Sequence, residues 1–268
     1  GAVLKSDEPI GYMALATAYR RREISYDEFN AGVKRLETMN TDWFDILFRT
    51  PFSHSHSINV SGGSNKTTYR ASFGYNDAQN TAKGNSQKSY TANVNVSTTF
   101  WDKLYLTFGL AGNVSKTRAF SGTDPYGYAS TTNRAIPCFD ENGELYFYND
   151  GGGKYNILNE LYNSGNKNTS NSINSNVNLR WVIGYGFTLS SILGYNYSST
   201  YGESWYTEQT RHIRGIRGYE FGEYGPGDPM YMESQLPYGG QLTVNETQNN
   251  NYTWRNQLEY AKTFGLLM

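Results

Sequence analysis

Clustered carboxylates are the residues of this chain that come nearest to a catalytic pattern. Asp140, Glu141 and Glu144 lie close together, and Glu220 and Glu223 are three residues apart. Paired carboxylates can serve as the acid and the base of glycoside hydrolysis. The first cluster, however, surrounds an Asn-Gly dipeptide between apolar residues, which is a strong hairpin signal. Because turn carboxylates are usually just solvated, we expect no enzymatic activity.

Histidine and glycine patterns give little support for a metal or a cofactor. His54 and His56 are two residues apart, so on a strand both side chains share one face. No Cys, Asp or Glu stands nearby at ligand spacing, and His212 has no partner in sequence. The stretch from Gly151 to Lys154 lacks the spacing and the strand–helix context of a phosphate-binding loop. The sequence therefore predicts neither a metal site nor a cofactor.

Aromatic residues in two long polar stretches offer a third kind of chemistry. Residues 118–170 and 200–250 mix Tyr, Trp and Phe with Asn, Asp and Glu. Such side chains can stack on sugar rings, form a protein interface, or pack the loops against each other. All three interpretations stay open on the sequence alone. The candidates for ligand contact are Tyr128, Tyr148, Trp205 and Tyr206.

The composition limits the class of protein. With 23 basic and 24 acidic residues the formal net charge is -1, which gives no electrostatic case for a nucleic acid partner. No run of about 20 apolar residues occurs, so a membrane-spanning helix is not expected. The mean hydropathy of -0.67 suits a soluble protein, but also a transmembrane β-barrel, because half of each barrel strand faces water. The single cysteine, Cys138, excludes an internal disulfide framework.

Apolar and polar residues alternate with a period of two, which predicts β-strands, and these strands must position any site. From Thr67 to Tyr75 the odd positions are mostly apolar or aromatic, and the even positions are polar or small. Because successive side chains of a strand point to opposite faces, this segment has one apolar and one polar face. The pattern recurs in about seven segments of about 10–13 residues, whereas about 5–6 is usual for soluble strands. The connections alternate between short and long, as in outer-membrane barrels.

The charged residues inside these strands occur at the positions that belong to the polar face. A Lys or Arg that faces lipid near the bilayer midplane costs about 2–4 kcal/mol, so this segregation is expected of a barrel wall. Aromatic residues gather beside the short turns, as an interfacial girdle would. The sequence thus predicts an all-β fold, an antiparallel transmembrane β-barrel segment. The predicted lumen-facing residues are Arg70, Asn93, Asn95, Asn176, Arg180, Arg255 and Glu259.

The N-terminal part of the chain differs from the rest. One helix is predicted from about Asp7 to Tyr19, and another from Ser25, where Glu28 is placed for a capping box. A further helical turn is predicted within residues 41–48. The resulting division is a helical loop region over residues 1–54 and a partial barrel over residues 55–268, with long loops at about 117–171 and 200–250.

One stretch of sequence is specific enough to suggest a family. Between Thr41 and Tyr75 the chain carries, in order, TDW, FR, a His-Ser-Ile-Asn-Val run, SGG, KTTY, AS and GY. This succession resembles the SusC/RagA family of TonB-dependent outer-membrane transporters. The resemblance implies a barrel of about 22 antiparallel strands around an N-terminal plug. It also implies that residues 1–50 belong to the first extracellular loop.

The resemblance carries expectations about function and partners. It implies active import of oligosaccharides, or less often peptides, across the bacterial outer membrane, coupled to TonB. It also implies a SusD-like surface lipoprotein that caps the barrel as a lid. On this interpretation outer-membrane lipid surrounds the wall, and the polar strand face lines the lumen.

The same resemblance marks the chain as a fragment of such a transporter, because plug, TonB-contacting segment and remaining strands are missing from it. Seven strands cannot close a wide barrel, so both sheet edges would keep unpaired backbone groups. The alternative is a secreted, soluble β-rich module for carbohydrate binding or adhesion. Such a module would fold without detergent, whereas a barrel fragment would aggregate.

Overall fold

One seven-stranded antiparallel sheet dominates the computed structural model, which describes residues 11–140, 142–150 and 153–263. Its strands stand side by side in chain order, so each long strand pairs with the next one along the chain. A separate two-stranded hairpin lies within one connection. The long strands are β1 (Phe52–Gly63), β2 (Thr67–Gln79), β3 (Ser86–Phe100), β4 (Leu104–Ala119), β7 (Ser164–Gly184), β8 (Phe187–Tyr206) and β9 (Gln241–Tyr260); the hairpin is β5 (Tyr148–Asn149) and β6 (Lys154–Tyr155). The all-β prediction is confirmed.

Helices occupy the segment before the sheet and the two long connections. None of those in the described part of the chain is long and apolar enough to cross a membrane. They are α1 (Gly11–Arg20), α2 (Tyr26–Thr38) and α3 (Trp43–Leu47) before β1, α4 (Pro125–Thr131) and α5 (Ile157–Asn163) between β4 and β7, and α6 (Arg211–Arg217) and α7 (Pro229–Glu233) between β8 and β9.

Two helix starts follow from local sequence. At α2 the predicted capping box is confirmed: the Glu28 N–H donates to Ser25 Oγ (3.2 Å), and the Ser25 N–H donates to Glu28 Oε2 (2.7 Å). At α3 the carboxylate of Asp42 accepts the Asp45 N–H (3.1 Å), so the predicted third turn is also confirmed. The predicted start of α1 near Asp7 lies outside the described residues.

The strand register separates two faces of the sheet, here named the polar face and the apolar face. One polar row crosses six strands as Arg70, Asn95, Gly109, Asn176, Gly194 and Thr253. The adjacent row on the apolar face contains Val60, Ala71, Val94, Leu110, Ser175, Tyr195 and Tyr252. All seven residues predicted to face the lumen lie on the polar face, since the register gives each of them the parity of Asn95 or its paired residues.

The apolar face forms a band with aromatic edges. On β3 the band runs from Tyr90 to Phe100, which corresponds to about 25 Å in height for a strand tilted by about 40° with about 3.4 Å per residue. At the upper edge the rings of Tyr75 and Tyr90 lie 5.1 Å apart. At the lower edge Phe187 and Tyr260 lie 4.8 Å apart. This height matches the hydrocarbon-facing band of an outer-membrane barrel.

The strands extend further at the loop end than the alternation predicts. The first strand begins at Phe52, and the long loops cover residues 120–163 and 207–240 rather than 117–171 and 200–250. The added residues of β7 are polar or glycine on both faces, so they carry no period-two hydrophobic signal, whereas the added parts of β8 and β9 keep Tyr201, Trp205, Leu242 and Val244 on the apolar face. Their backbones nevertheless continue the same ladder in register. The predicted loop boundaries are corrected accordingly.

A small hydrophobic core lies at the loop end of the sheet and joins α3 to the first long loop. The indole of Trp43 packs edge-on against Tyr128, with ring centroids 5.0 Å apart. The Thr41 N–H donates to the Arg134 carbonyl (2.8 Å), and the Thr41 hydroxyl donates to the Ile136 carbonyl (2.8 Å). We call this group the loop core; its buried residues are Trp43, Leu47, Ala129, Cys138, Ile157 and Leu158.

The thiol in the loop core provides a measure of its stability. Burial raises the pKa of the Cys138 thiol to about 11, so iodoacetamide should react with it only when the core opens. Replacing the buried Trp43 by alanine should cost the loop core about 3–5 kcal/mol, because a large cavity is left. We expect Cys138 to be alkylated at least about a hundredfold faster in Trp43→Ala, measured by mass spectrometry of its peptide.

The matched control is Trp101→Ala, at the short β3–β4 turn, where the indole is 79% exposed. This substitution should leave the alkylation rate of Cys138 unchanged, because it touches nothing in the loop core. Equal rates in the two variants would show that Trp43 does not hold the loops together.

Candidate functional site

The two long loops meet around a polar cavity of about 350 Å³ at the loop end of β4 and β8. Its walls carry hydroxyl, carboxylate, guanidinium and imidazole groups. We call it the loop cavity; its lining residues are Ser121, Gly122, Thr123, Tyr155, Glu160, Tyr206, Arg211 and His212.

Tyr206 reaches the loop cavity from the last position of β8. Ser121 Oγ donates to the Tyr206 hydroxyl (2.8 Å), and the His212 ring lies 4.2 Å from the tyrosine ring. Gly122 allows this approach, since its φ is +66° and a Cβ there would lie 2.8 Å from the same hydroxyl. His212 Nε2 is in turn 2.7 Å from Gln241 Oε1. The Tyr206 side chain thus lies against Ser121, Gly122 and His212 while it lines the cavity.

Glu160 supplies a buried carboxylate to the loop cavity. It comes from α5, and its two oxygens accept the backbone N–H of Arg211 at 3.0 and 3.1 Å. Burial raises the pKa of this carboxyl group, and the hydrogen bonds from Arg211 and Asn159 only partly offset that effect. The side chain therefore joins α5 of the first long loop to α6 of the second.

Ion pairs connect the β5–β6 hairpin to α6. The guanidinium of Arg211 pairs with the Asp150 carboxylate and lies 5.6 Å from the Tyr155 ring centroid. Arg214 Nη1 pairs with Glu220 Oε1 of its own loop at 2.9 Å and also donates to the Lys154 carbonyl of β6 at 3.3 Å. Because these arginines already have carboxylate partners, the cavity offers mainly hydroxyl and aromatic groups to a neutral ligand.

The structure separates the four predicted ligand-contact residues. Tyr206 lines the loop cavity, whereas the Tyr148 hydroxyl lies 3.1 Å from that of Tyr128 inside the loop assembly. Tyr148 is only 7% exposed, and burial raises the pKa of both phenols. Trp205 has the parity of the apolar face, where Lys167 Nζ lies 5.1 Å from its ring centroid. Loop packing, one of the three open interpretations, accounts for Tyr128 and Tyr148.

The carboxylate cluster near Asp140 builds a turn. Asp140 Oδ1 accepts the backbone N–H groups of Asn142 (2.8 Å) and Glu144 (2.9 Å), and Phe139 bridges to Leu145. The predicted hairpin is therefore confirmed, and its carboxylate is engaged by the backbone. Glu141, the third member of the cluster, lies outside the described residues.

The other two residue pairs with candidate chemistry are Glu220 with Glu223 and His54 with His56, and the structure describes the contacts of both. Glu223 Oε2 accepts the Glu220 N–H (3.0 Å), which closes a local turn. His54 and His56 share one face of β1, as predicted, with ring centroids 5.2 Å apart. Across the described ranges, no group of three His, Cys, Asp or Glu side chains is placed to hold a metal ion.

Sequence reasoning missed Glu160, Arg211 and the hydroxyl of Ser121. Ser121 and Arg211 are single polar residues in polar stretches, and residues 121 and 160 meet residue 211 only after both loops fold. The only local signal was the short apolar run around Glu160, Ile-Leu-Asn-Glu-Leu, which indicates a buried helix within a loop.

The arrangement as a whole defines a class of protein. An antiparallel sheet in chain order, with an apolar band on one face, a polar opposite face, short turns at one end and long folded loops at the other, is the wall of an outer-membrane β-barrel.

Comparisons with known proteins agree with this class. No family model matches the chain. The TonB-dependent receptor SusC of Bacteroides thetaiotaomicron is 31% identical over 102 residues, which are 34% of this chain and 10% of SusC. The match to the RagAB peptide transporter structure covers 97% of this chain and 31% of the RagAB chain, at 20% identity and with a TM-score of 0.61. The match to the RagAB peptide importer in the closed-closed state covers 85% of this chain and 24% of the RagAB chain, at 22% identity and also with a TM-score of 0.61.

These likenesses confirm the predicted resemblance to SusC/RagA-type TonB-dependent receptors, the barrel-segment fold and the bacterial outer-membrane location. The chain spans about a tenth of SusC, and 24% and 31% of the two matched RagAB chains. SusC is a receptor and RagAB an importer, which agrees with the expectation that the chain is not an enzyme.

The buried carboxyl group of Glu160 should make loop stability depend on pH. Since its folded pKa is raised, its contribution is complete below the unfolded pKa of about 4.3 and is lost as pH rises through the folded value. We expect hydrogen-exchange protection of the α6 amides, corrected for intrinsic exchange, to fall over this range in the wild type. In Glu160→Gln this pH dependence should disappear.

The control for this measurement is Glu144→Gln, which removes an exposed carboxylate at the hairpin of the same loop. That variant should follow the wild-type curve. A Glu160→Gln curve with the wild-type slope would assign the pH dependence to other groups.

Proposed function

We propose that this chain forms part of the wall and the outer loops of a TonB-dependent outer-membrane importer of glycans or peptides. The observation that carries the proposal is the register, which places every predicted lumen residue on one face and an apolar band about 25 Å high on the other. The apolar face meets lipid, and the polar face meets the lumen. Energy comes from TonB, through parts of the receptor outside this chain.

The two long loops and the helical region before β1 lie on the extracellular side. The loop core and the ion pairs of α6 fold them into one assembly above the wall. On this proposal a SusD-like lipoprotein covers the assembly as a lid. The described residues before Phe52 then correspond to a helical extracellular region, and the strands from β1 to β9 with their connections correspond to the partial barrel.

The proposed substrates are neutral oligosaccharides. On the polar face, the rows next to the loop end contain Ser, Thr, Asn, Gln, Gly and Ala but no charged side chain in their register across β1 to β9. Amide and hydroxyl groups match the hydroxyls of sugars, and the ring of Tyr206 offers a stacking surface. Peptides are the second candidate, because the matched RagAB structures are named as a peptide importer and transporter.

The membrane assignment is tested by two neighbouring arginine substitutions in the whole receptor. Val94→Arg puts a charge in the middle of the apolar band and should lower the free energy of unfolding in lipid vesicles by about 2–4 kcal/mol. Asn93→Arg puts the same side chain on the polar face, beside Ser72 and Ala111, and should cost far less. Equal losses in guanidinium titrations would argue for the soluble-module alternative.

The ligand assignment is tested with Tyr206→Ala. The purified receptor in detergent is exposed to a panel of neutral oligosaccharides and to a panel of short peptides. We expect binding to oligosaccharides, weakened about fivefold by Tyr206→Ala because one ring contact of about 1 kcal/mol is lost. Tyr185→Ala, at a short turn where the ring is 95% exposed, should have no effect. Binding to peptides alone would replace the glycan proposal with the peptide one.

A further inference from the structure

Four basic side chains gather on one face of the sheet, immediately above the apolar band. They lie in two adjacent rows at the loop end, on the face that carries the band. Lys88 pairs directly with Lys116, and Arg118 pairs directly with Lys167. We call these four residues the basic patch: Lys88, Lys116, Arg118 and Lys167.

The basic patch brings like charges opposite each other, which destabilises a strand pair. Lys88 has a carboxylate partner, Asp77, at 3.1 Å, and Lys167 lies over the Trp205 ring. For Lys116 and Arg118, no described carboxylate comes within ion-pair distance, and both side chains are exposed. The centre of the patch therefore carries positive charge that the described part of the protein does not neutralise.

Acidic residues stand at the flanks of the patch and not within it. Asp77 lies on β2, and Glu203 and Glu246 lie on β8 and β9, so the four cations are contiguous across β3, β4 and β7. Glu203 faces Lys167 in the register, but its Oε1 accepts the Tyr201 hydroxyl (2.8 Å).

The opposite face of the same strands is uncharged at this height. Between the basic residues, the alternate positions are Gln87, Ser89, Ser115, Thr117, Asn168 and Ser170. A polar extension of the barrel into water would be served by charges on either face. The basic side chains lie only on the face that carries the band, as do the flanking carboxylates Asp77, Glu203 and Glu246, and the cations at the centre that lack a carboxylate partner suit an anionic group on that side.

The height of the patch identifies what it meets. The aromatic edge of the band is at Tyr75 and Tyr90, where interfacial aromatic residues lie at the headgroup level. Lys88 comes two residues before Tyr90 on β3, which puts it about 7 Å nearer the loop end. The patch is therefore at the level of the phosphate groups of the outer leaflet, and basic residues near an anionic membrane surface attract such groups.

We propose that the basic patch binds the phosphorylated headgroup of an outer-leaflet glycolipid. Lys116 and Arg118 supply the unneutralised charges, and Lys88 and Lys167 flank them. The acyl chains of the bound lipid then lie along the apolar face below, over Val114 and Ala92. This inference rests on the proposed barrel orientation, in which the apolar face meets lipid.

The test uses the whole receptor, extracted in neutral detergent, and native mass spectrometry with added lipid A. Each basic residue near an anionic surface contributes about fivefold, so Lys116→Gln/Arg118→Gln should weaken binding about thirtyfold. Lys66→Gln/Lys103→Gln, which removes two exposed cations at the short-turn end, one of them paired with Asp102 at 3.2 Å, should bind as the wild type does. Enzymatically dephosphorylated lipid A should bind the wild type as weakly as lipid A binds the patch variant.

Several outcomes would overturn the proposal. Equal binding of lipid A to both double variants would show that the patch does not hold the lipid. Displacement of lipid A by inorganic phosphate at equal concentration would indicate a site for free phosphate. Thermal unfolding of each variant in detergent confirms that it is folded, so that a loss of binding is attributable to charge.

Membrane fractionation separates this inference from the proposed function. If the receptor is found in the outer membrane but its patch variant still retains lipid A, only the patch proposal is refuted. A receptor absent from the outer membrane would refute the proposed function, and the patch proposal with it.

Discussion

Backbone hydrogen bonding between neighbouring strands is the constraint on which the rest of this structure depends. In hydrocarbon an unpaired N–H or C=O costs several kcal/mol, so a spanning sheet must keep its ladder continuous. The unbroken pairing from β1 to β9 provides this, and it also fixes which side chains share a face. Within the described chain the outer edges of β1 and β9 have no further strand, and on the proposed function strands from the rest of the barrel pair with them.

The ladder continues beyond the apolar band and changes its role there. Within the band, the apolar face is selected for contact with lipid, and the polar face tolerates Arg70, Arg180 and Arg255. Above the band, the polar face is uncharged in its register, and the face that carries the band holds charged residues of both signs together with Trp205, Leu242 and Val244. On the proposed function, the same strands provide a lipid-facing wall, a patch at the headgroup level and a support for the folded loops.

Long-range polar contacts give the loops a defined shape. Glu160 joins α5 to α6, Arg211 pairs with Asp150 of the β5–β6 hairpin, and Arg214 donates to the Lys154 carbonyl of β6. Buried carboxylates and arginines are costly unless they are paired, so these contacts restrict the loops to few arrangements. Tyr128 and Tyr148 pack inside that assembly, and Tyr206 is left on the cavity surface. The position of each ring in the assembly therefore separates structural from accessible aromatic residues.

The sequence by itself determined the period-two faces, the short turns, the α2 capping box and the hairpin at Asp140. Each of these depends on interactions between residues within a few positions of each other. It did not determine where β7 begins, because polar residues on both faces leave no periodic signal there, or how far β8 and β9 extend at the loop end. Nor did it show the meeting of Ser121, Glu160, Tyr206 and Arg211, or the alignment of Lys88, Lys116, Arg118 and Lys167. These groups are set by strand register and loop folding, which bring together residues far apart in the chain, and only the tertiary structure decides that.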